Sequence, residues 1–157
     1  MTRPAVIVDT HVVVAGLLTA HEASRLVPNS ARILEGMLVA AFPFVVSEAL
    51  LAEYRTVLVR PNLRKLHGLT VAEVEAILTD LVQHAIVLAP VAGPPAPDPG
   101  DQLLWGLLAA RADLLLVTGD KLLLRDAGMQ GRVISPQAFV ARAQPARAKN
   151  TQGEQSA

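Results

Sequence analysis

Residues 5 to 9, Ala-Val-Ile-Val-Asp, run three β-branched apolar side chains straight into a carboxylate. A short continuous apolar run of this kind reads as a buried strand. Asp9 must then stand where the strand gives out, because an unpaired charge inside the sheet would be too costly. Residues 114 to 120, Leu-Leu-Leu-Val-Thr-Gly-Asp, repeat the arrangement and end in Asp120. A fold for this chain must bury both runs and still deliver both acids to solvent.

The stretches between these runs are helical or turn-like. Thr10 to Leu18 reads as a helix despite its valines, and Ser30 to Ala41 carries Ile33, Leu34, Met37, Leu38 and Ala41 on one side. Residues 43 to 47 form a second short strand, and Ser47 is placed to cap a helix from Glu48 to about Val59. Pro61 stops or bends that helix. Thr70 and Glu73 match a capping box for a helix reaching about His84, and residues 85 to 88 read as a third strand. Residues 89 to 101 are rich in Pro and Gly and form a loop. A helix from Pro99 to Ala112 follows, then the strand ending at Thr118, a weaker strand over 132 to 135, and a terminal helix opened by Pro136. From Gln144 the chain is polar and without apolar period, so residues 1 to 143 are expected to form one domain and 144 to 157 a disordered tail.

Strands alternating with helices predict an α/β domain with a largely parallel sheet. Ligands of such sheets bind beyond the carboxyl ends of the strands. Asp9 and Asp120 both lie at such ends and are expected to face one crevice.

Composition narrows the chemistry. The chain has 157 residues, 52% hydrophobic and 3% aromatic, so the core is aliphatic. It has no cysteine, which excludes disulfides, zinc–thiolate sites and thiol nucleophiles. No apolar stretch reaches the roughly 18 to 20 residues that span a bilayer. The longest candidate, residues 37 to 46, is broken by Pro43. A soluble, cytoplasmic protein is expected. Net charge is zero, but the charges are segregated. Residues 54 to 72 contain no acid and carry Arg55, Arg60, Arg64, Lys65 and His67; residues 127 to 153 contain no acid and carry Arg132, Arg142, Arg147 and Lys149. Either stretch is an ordinary solvated face or a surface for a polyanion.

Other acids join the two at the strand ends. Asp98 can cap the helix that follows, with Asp101 in its first turn, a placement the helix dipole favours without further purpose. Glu53 borders the apolar stripe of Leu50, Leu51, Tyr54, Val57 and Leu58, as a solvated rim residue also would. Together, Asp9, Glu53, Asp101 and Asp120 cannot all stay ionised within a few ångströms without a cation. Only Lys121 and His11 are near enough in sequence to offer local relief. Ligands that are all oxygen suit Mg²⁺ or Mn²⁺.

Residues 6–18, 45–61, 96–124 and 133–140 resemble, in order and spacing, the successive blocks of a PIN domain, and more narrowly the VapC-like ribonuclease toxins of bacterial toxin–antitoxin systems. The resemblance spans roughly Ala5 to Val140. It implies a three-layer α/β/α fold and an acidic pocket holding Mg²⁺ or Mn²⁺. It implies metal-dependent cleavage of RNA leaving 5′-phosphate and 3′-hydroxyl ends, and an antitoxin as partner. The family's acids map to Asp9, Glu53, Asp101 and Asp120, with Asp98 as an accessory metal ligand and Thr118 beside the pocket. One position departs: most relatives have Asn where this chain has His11, for which a role in orienting neighbours is expected rather than direct ligation.

Arg60, Arg64 and Lys65 are candidates for holding RNA phosphates, a role that positions a strand without reading its sequence. Trp105 sits in an apolar helix and is expected in the core; His21, His67 and His84 read as surface or cap residues. The small size and apolar helical faces suggest a homodimer. Two rivals stand beside the nuclease. One is a catalytically silent PIN-like module that binds RNA or a partner. The other is a receiver-type phosphoacceptor domain, against which residues 85 to 90 offer no aspartate at the end of the third strand.

Overall fold

The computed structural model describes residues 4–20, 29–129 and 131–143. The expected tail from 144 and His21 lie outside the described residues. Five parallel strands form one sheet: β1 (Val6–Val8), β2 (Phe44–Val46), β3 (Ile86–Val87), β4 (Leu115–Val117) and β5 (Val133–Ile134), in the order β3-β2-β1-β4-β5. The helices are α1 (Thr10–Ala20), α2 (Asn29–Leu38), α3 (Glu48–Leu58), α4 (Pro61–His67), α5 (Val71–His84), α6 (Gln102–Ala110), α7 (Lys121–Leu124) and α8 (Pro136–Ala143). They flank the sheet, giving the expected three-layer α/β/α architecture.

The strands that read as most apolar are central. Val6, Ile7 and Val8 are at most 1% exposed, with β2 on one side and β4 on the other. Each such side chain contributes about 1.5–3 kcal/mol on burial. The short strands β3 and β5 take the edges, and β3 keeps both side chains exposed. Helices α1, α2, α3 and α5 pack on one another, α8 leans on α2, and α6 lies against β4. Trp105 of α6 is fully buried, as expected.

Local signals act where they were read. The Ser47 side chain accepts from the Leu50 N–H, and Thr70 with Glu73 forms a reciprocal capping box. Differences have local causes too. Helix α2 ends at Leu38 rather than Ala41 because Ala40 is left-handed (φ 57°) and the Ala41 N–H turns back to the Gly36 carbonyl. Pro61 follows the end of α3, as expected, and also opens α4 directly, as suits the first helical position. The helix expected from Pro99 starts as a tight three-residue turn, Pro99–Asp101, before α6 begins.

His67 is buried. Its Nε2 donates to the Leu58 carbonyl that ends α3, and its Nδ1 accepts the Leu69 N–H beyond α4. Arg132 is turned inward from the second basic stretch. One terminal nitrogen donates to the carbonyls of Leu108, Arg111 and Leu114, closing the end of α6.

An acidic crevice where the strand order reverses

The chain leaves β1 toward β2 on one side, while β4 joins β1 on the other. The loops after β1 and β4 diverge at this point and leave a crevice at the carboxyl ends of both strands. Asp9 follows β1 directly, and Thr118, Gly119 and Asp120 follow β4.

Asp9 is only 6% exposed, and its carboxylate is held by donors from two segments. Oδ1 accepts the Thr10 N–H at 2.8 Å. Oδ2 accepts the Thr118 hydroxyl at 2.7 Å and lies 3.3 Å from His11 Nδ1. Thr118 is fully buried, and its Oγ1 also accepts the Asp120 N–H at 3.0 Å. This one hydroxyl joins the two strand-end acids. Asp120 in turn caps α7, its Oδ1 accepting the Leu122 N–H at 2.9 Å. That four-residue helix is absent from the sequence reading, where only the pairing of an acid with an N-cap position signals it.

Glu53 comes to the crevice from α3. Its Oε2 accepts the hydroxyl of Thr10, the first residue of α1. Its neighbour Tyr54 is fully buried and donates to the carbonyl of Val8, the residue before Asp9. Burial, with Asp9 and Glu53 nearby, pushes the Tyr54 phenol well above its usual range, so it remains a donor. Sequence reading placed Tyr54 in the apolar stripe alone; a phenol next to a candidate acid was the available signal.

Asp98 and Asp101 arrive on the Pro-rich loop. Gln102 anchors that loop, its amide donating to the Pro94 carbonyl at 3.1 Å and accepting the Ala96 N–H at 2.8 Å. Asp98 is exposed and caps the turn through Gly100. The Asp101 side chain caps nothing. Its carboxyl is raised to about 6, first by partial burial and then by Asp9, Asp120, Asp98 and Glu53. The other four acids thus all contribute to the raised Asp101 carboxyl.

Among the described residues, no arginine or lysine pairs with any of the five; only the His11 ring lies close to one of them. The donor set is oxygen only, which suits a hard divalent cation. No three acidic or histidine side chains among the described residues are yet grouped tightly enough to hold one. Holding an ion thus requires side-chain adjustment, for which Asp98, Asp101 and Asp120 have the solvent access and Asp9 does not.

Arg60, Arg64 and Lys65 are all exposed, on or beside α4, which packs on α1 and α3, the helices that carry Thr10 and Glu53. Arg55 of the same stretch is committed to Glu75 of α5.

A family model described as PIN domain matches residues 5–122. Among solved structures, the crystal structure of PAE2754 from Pyrobaculum aerophilum is similar to this chain, with a TM-score of 0.54 at 16% identity over 89% of each chain. At that identity the likeness shows the fold alone. No curated protein matches the chain.

Proposed function

The chain belongs to the PIN domain family, whose members are generally nucleases that use divalent metal ions, and from that premise we propose that it is a Mg²⁺- or Mn²⁺-dependent endoribonuclease, the toxin of a toxin–antitoxin pair. The observation that carries this reading is the company Asp101 keeps. A carboxyl without a donor is raised to about 6, first by partial burial and then by Asp9, Asp120, Asp98 and Glu53, and among the described residues no lysine or arginine pairs with any of them. Such a group gains most from a bound dication.

Asp9, Asp101 and Asp120 would hold the ion, with Glu53 holding it or its waters and Asp98 as accessory. When bound, it supplies an activated water and stabilises the leaving oxygen of a phosphodiester. The chain's own residues prepare the site. Thr118 and Thr10 fix Asp9 in one rotamer, and the Thr10 hydroxyl also orients Glu53. Tyr54 ties α3 to β1 so that Glu53 keeps its register with Asp9. Arg60, Arg64 and Lys65 would grip RNA phosphates. A second copy of the chain and an antitoxin are the expected protein partners. No described helix is long and apolar enough to cross a membrane.

The test is cleavage of single-stranded RNA by wild type and Asp101→Asn, with Mn²⁺ and with chelator. Asp101 is the right position because its side chain caps nothing, so the variant should fold normally. Asp9→Asn is less clean: an amide nitrogen in place of Oδ2 would face the Thr118 hydroxyl and His11. Cleavage that needs Mn²⁺ and is lost in Asp101→Asn supports the nuclease. RNA binding without cleavage in wild type supports the silent module instead.

A further inference from the structure

His11 lies two residues beyond Asp9, and its ring touches both strand ends. Nδ1 lies 3.3 Å from Asp9 Oδ2, and Nε2 accepts the Gly119 N–H at 2.8 Å across 108 residues of sequence. A neutral imidazole has one N–H and one lone pair. Because Nε2 accepts, the proton sits on Nδ1 and faces the Asp9 carboxylate. The His11 side chain is 50% exposed, so burial does not force these contacts. Gly119 matches the ring closely: a Cβ there would lie 3.2 Å from Nε2.

We propose that His11 is a positioning residue, a latch that fastens the turn carrying Asp120 to Asp9 before any cation arrives. The inference rests on the metal reading of the crevice. Asp9 and Asp120 are like charges just beyond the paired strands β1 and β4, and the turn at 118–120 carries the second of them. Thr118 restrains it from the buried side, and His11 restrains it from the solvent side. The ring thus touches Asp9 on one side and takes the Gly119 N–H on the other. It acts through its neighbours, as outer-shell partners of metal ligands do.

The geometry separates two variants. An Asn amide reaches about as far as Nδ1 and falls short of Nε2, so His11→Asn keeps a donor near Asp9 and loses Gly119. The longer Gln amide keeps an acceptor for the Gly119 N–H. The experiment measures hydrogen exchange of the Gly119 amide in metal-free protein, the ¹⁵N signals of the His11 ring, and Mn²⁺ affinity by calorimetry. It compares wild type with His11→Gln, His11→Asn and His11→Ala. The expected result is a protected Gly119 amide in wild type and His11→Gln and fast exchange in the other two. Mn²⁺ affinity should fall about tenfold or more in His11→Asn and His11→Ala, and less in His11→Gln. A wild-type ring protonated on Nε2 alone, an unprotected wild-type Gly119 amide, or unchanged affinity in His11→Ala overturns the latch. Wild-type protein that takes up no Mn²⁺ overturns the metal reading instead. The exchange pattern then decides the latch: loss of protection in His11→Asn and His11→Ala supports it, and unchanged protection overturns it.

Discussion

The Thr118 hydroxyl stands 2.7 Å from Oδ2 of Asp9, a residue 109 positions away, while the same oxygen takes the Asp120 N–H. A buried side chain of three heavy atoms thus sets the relation between two acids on different strands. The consequence is testable by removing one atom's chemistry and keeping its shape.

Thr118→Val keeps the branched outline and deletes the hydroxyl. It leaves the Asp120 N–H without its acceptor and takes a donor from Asp9, which should cost about 1–3 kcal/mol. Urea unfolding should show a lower midpoint, and Thr118→Ser should recover most of the loss.

Asp101 predicts an unusual pH dependence. Its folded carboxyl is raised from 3.8 to about 6, so the folded state binds its proton more tightly than the unfolded chain does. The stability this group contributes is full below the unfolded value and is lost as pH rises through the folded one. In metal-free protein, Asp101→Asn should therefore melt higher than wild type at pH 7, with the gap closing toward pH 4. Mn²⁺ at pH 7 should raise the melting temperature of wild type more than that of the variant. A gap that widens on acidification would contradict the environment assigned to Asp101.

Tyr54→Phe retains the buried ring and removes the hydrogen bond to the Val8 carbonyl. The expected loss is about 1 kcal/mol, read as a lower denaturant midpoint at unchanged m-value. Because α3 also carries Glu53, RNA cleavage should fall in the folded variant.

Gly16 is where α1 meets α2. A Cβ there would lie 2.6 Å from the Ser30 carbonyl oxygen and 2.9 Å from Leu34 Cβ. Gly16→Ala must push backbone aside, so despite alanine's better helix propensity it should destabilise by about 1–3 kcal/mol. Thermal melting against wild type measures this.

The legible part of this molecule is local. Val6–Val8 and Leu115–Val117 form strands because continuous apolar runs must be buried on both faces, and the acid after each run must leave the sheet. Ser47, Thr70 and Glu73 cap helices through atoms three residues apart, a range over which sequence spacing is geometry. The PIN domain family is likewise legible in blocks that occur in order along the chain. What spacing could not carry is which side chain turns inward. Arg132 sits in a run of like charges yet closes the end of α6, and His67 reads as a surface or cap residue yet is buried between α3 and α4.

By itself, then, the sequence determined the α/β class, the burial of the central strands and the delivery of Asp9 and Asp120 to strand ends, since each follows from patterns a few residues long. Only the tertiary structure decided that Thr118 joins those acids, that Thr10 meets Glu53, that Tyr54 reaches Val8 and that His11 spans to Gly119. The partners in these bonds are 43 to 109 residues apart. No periodicity encodes such pairs; the order of strands in the sheet and the packing of α3 on α1 bring them within reach.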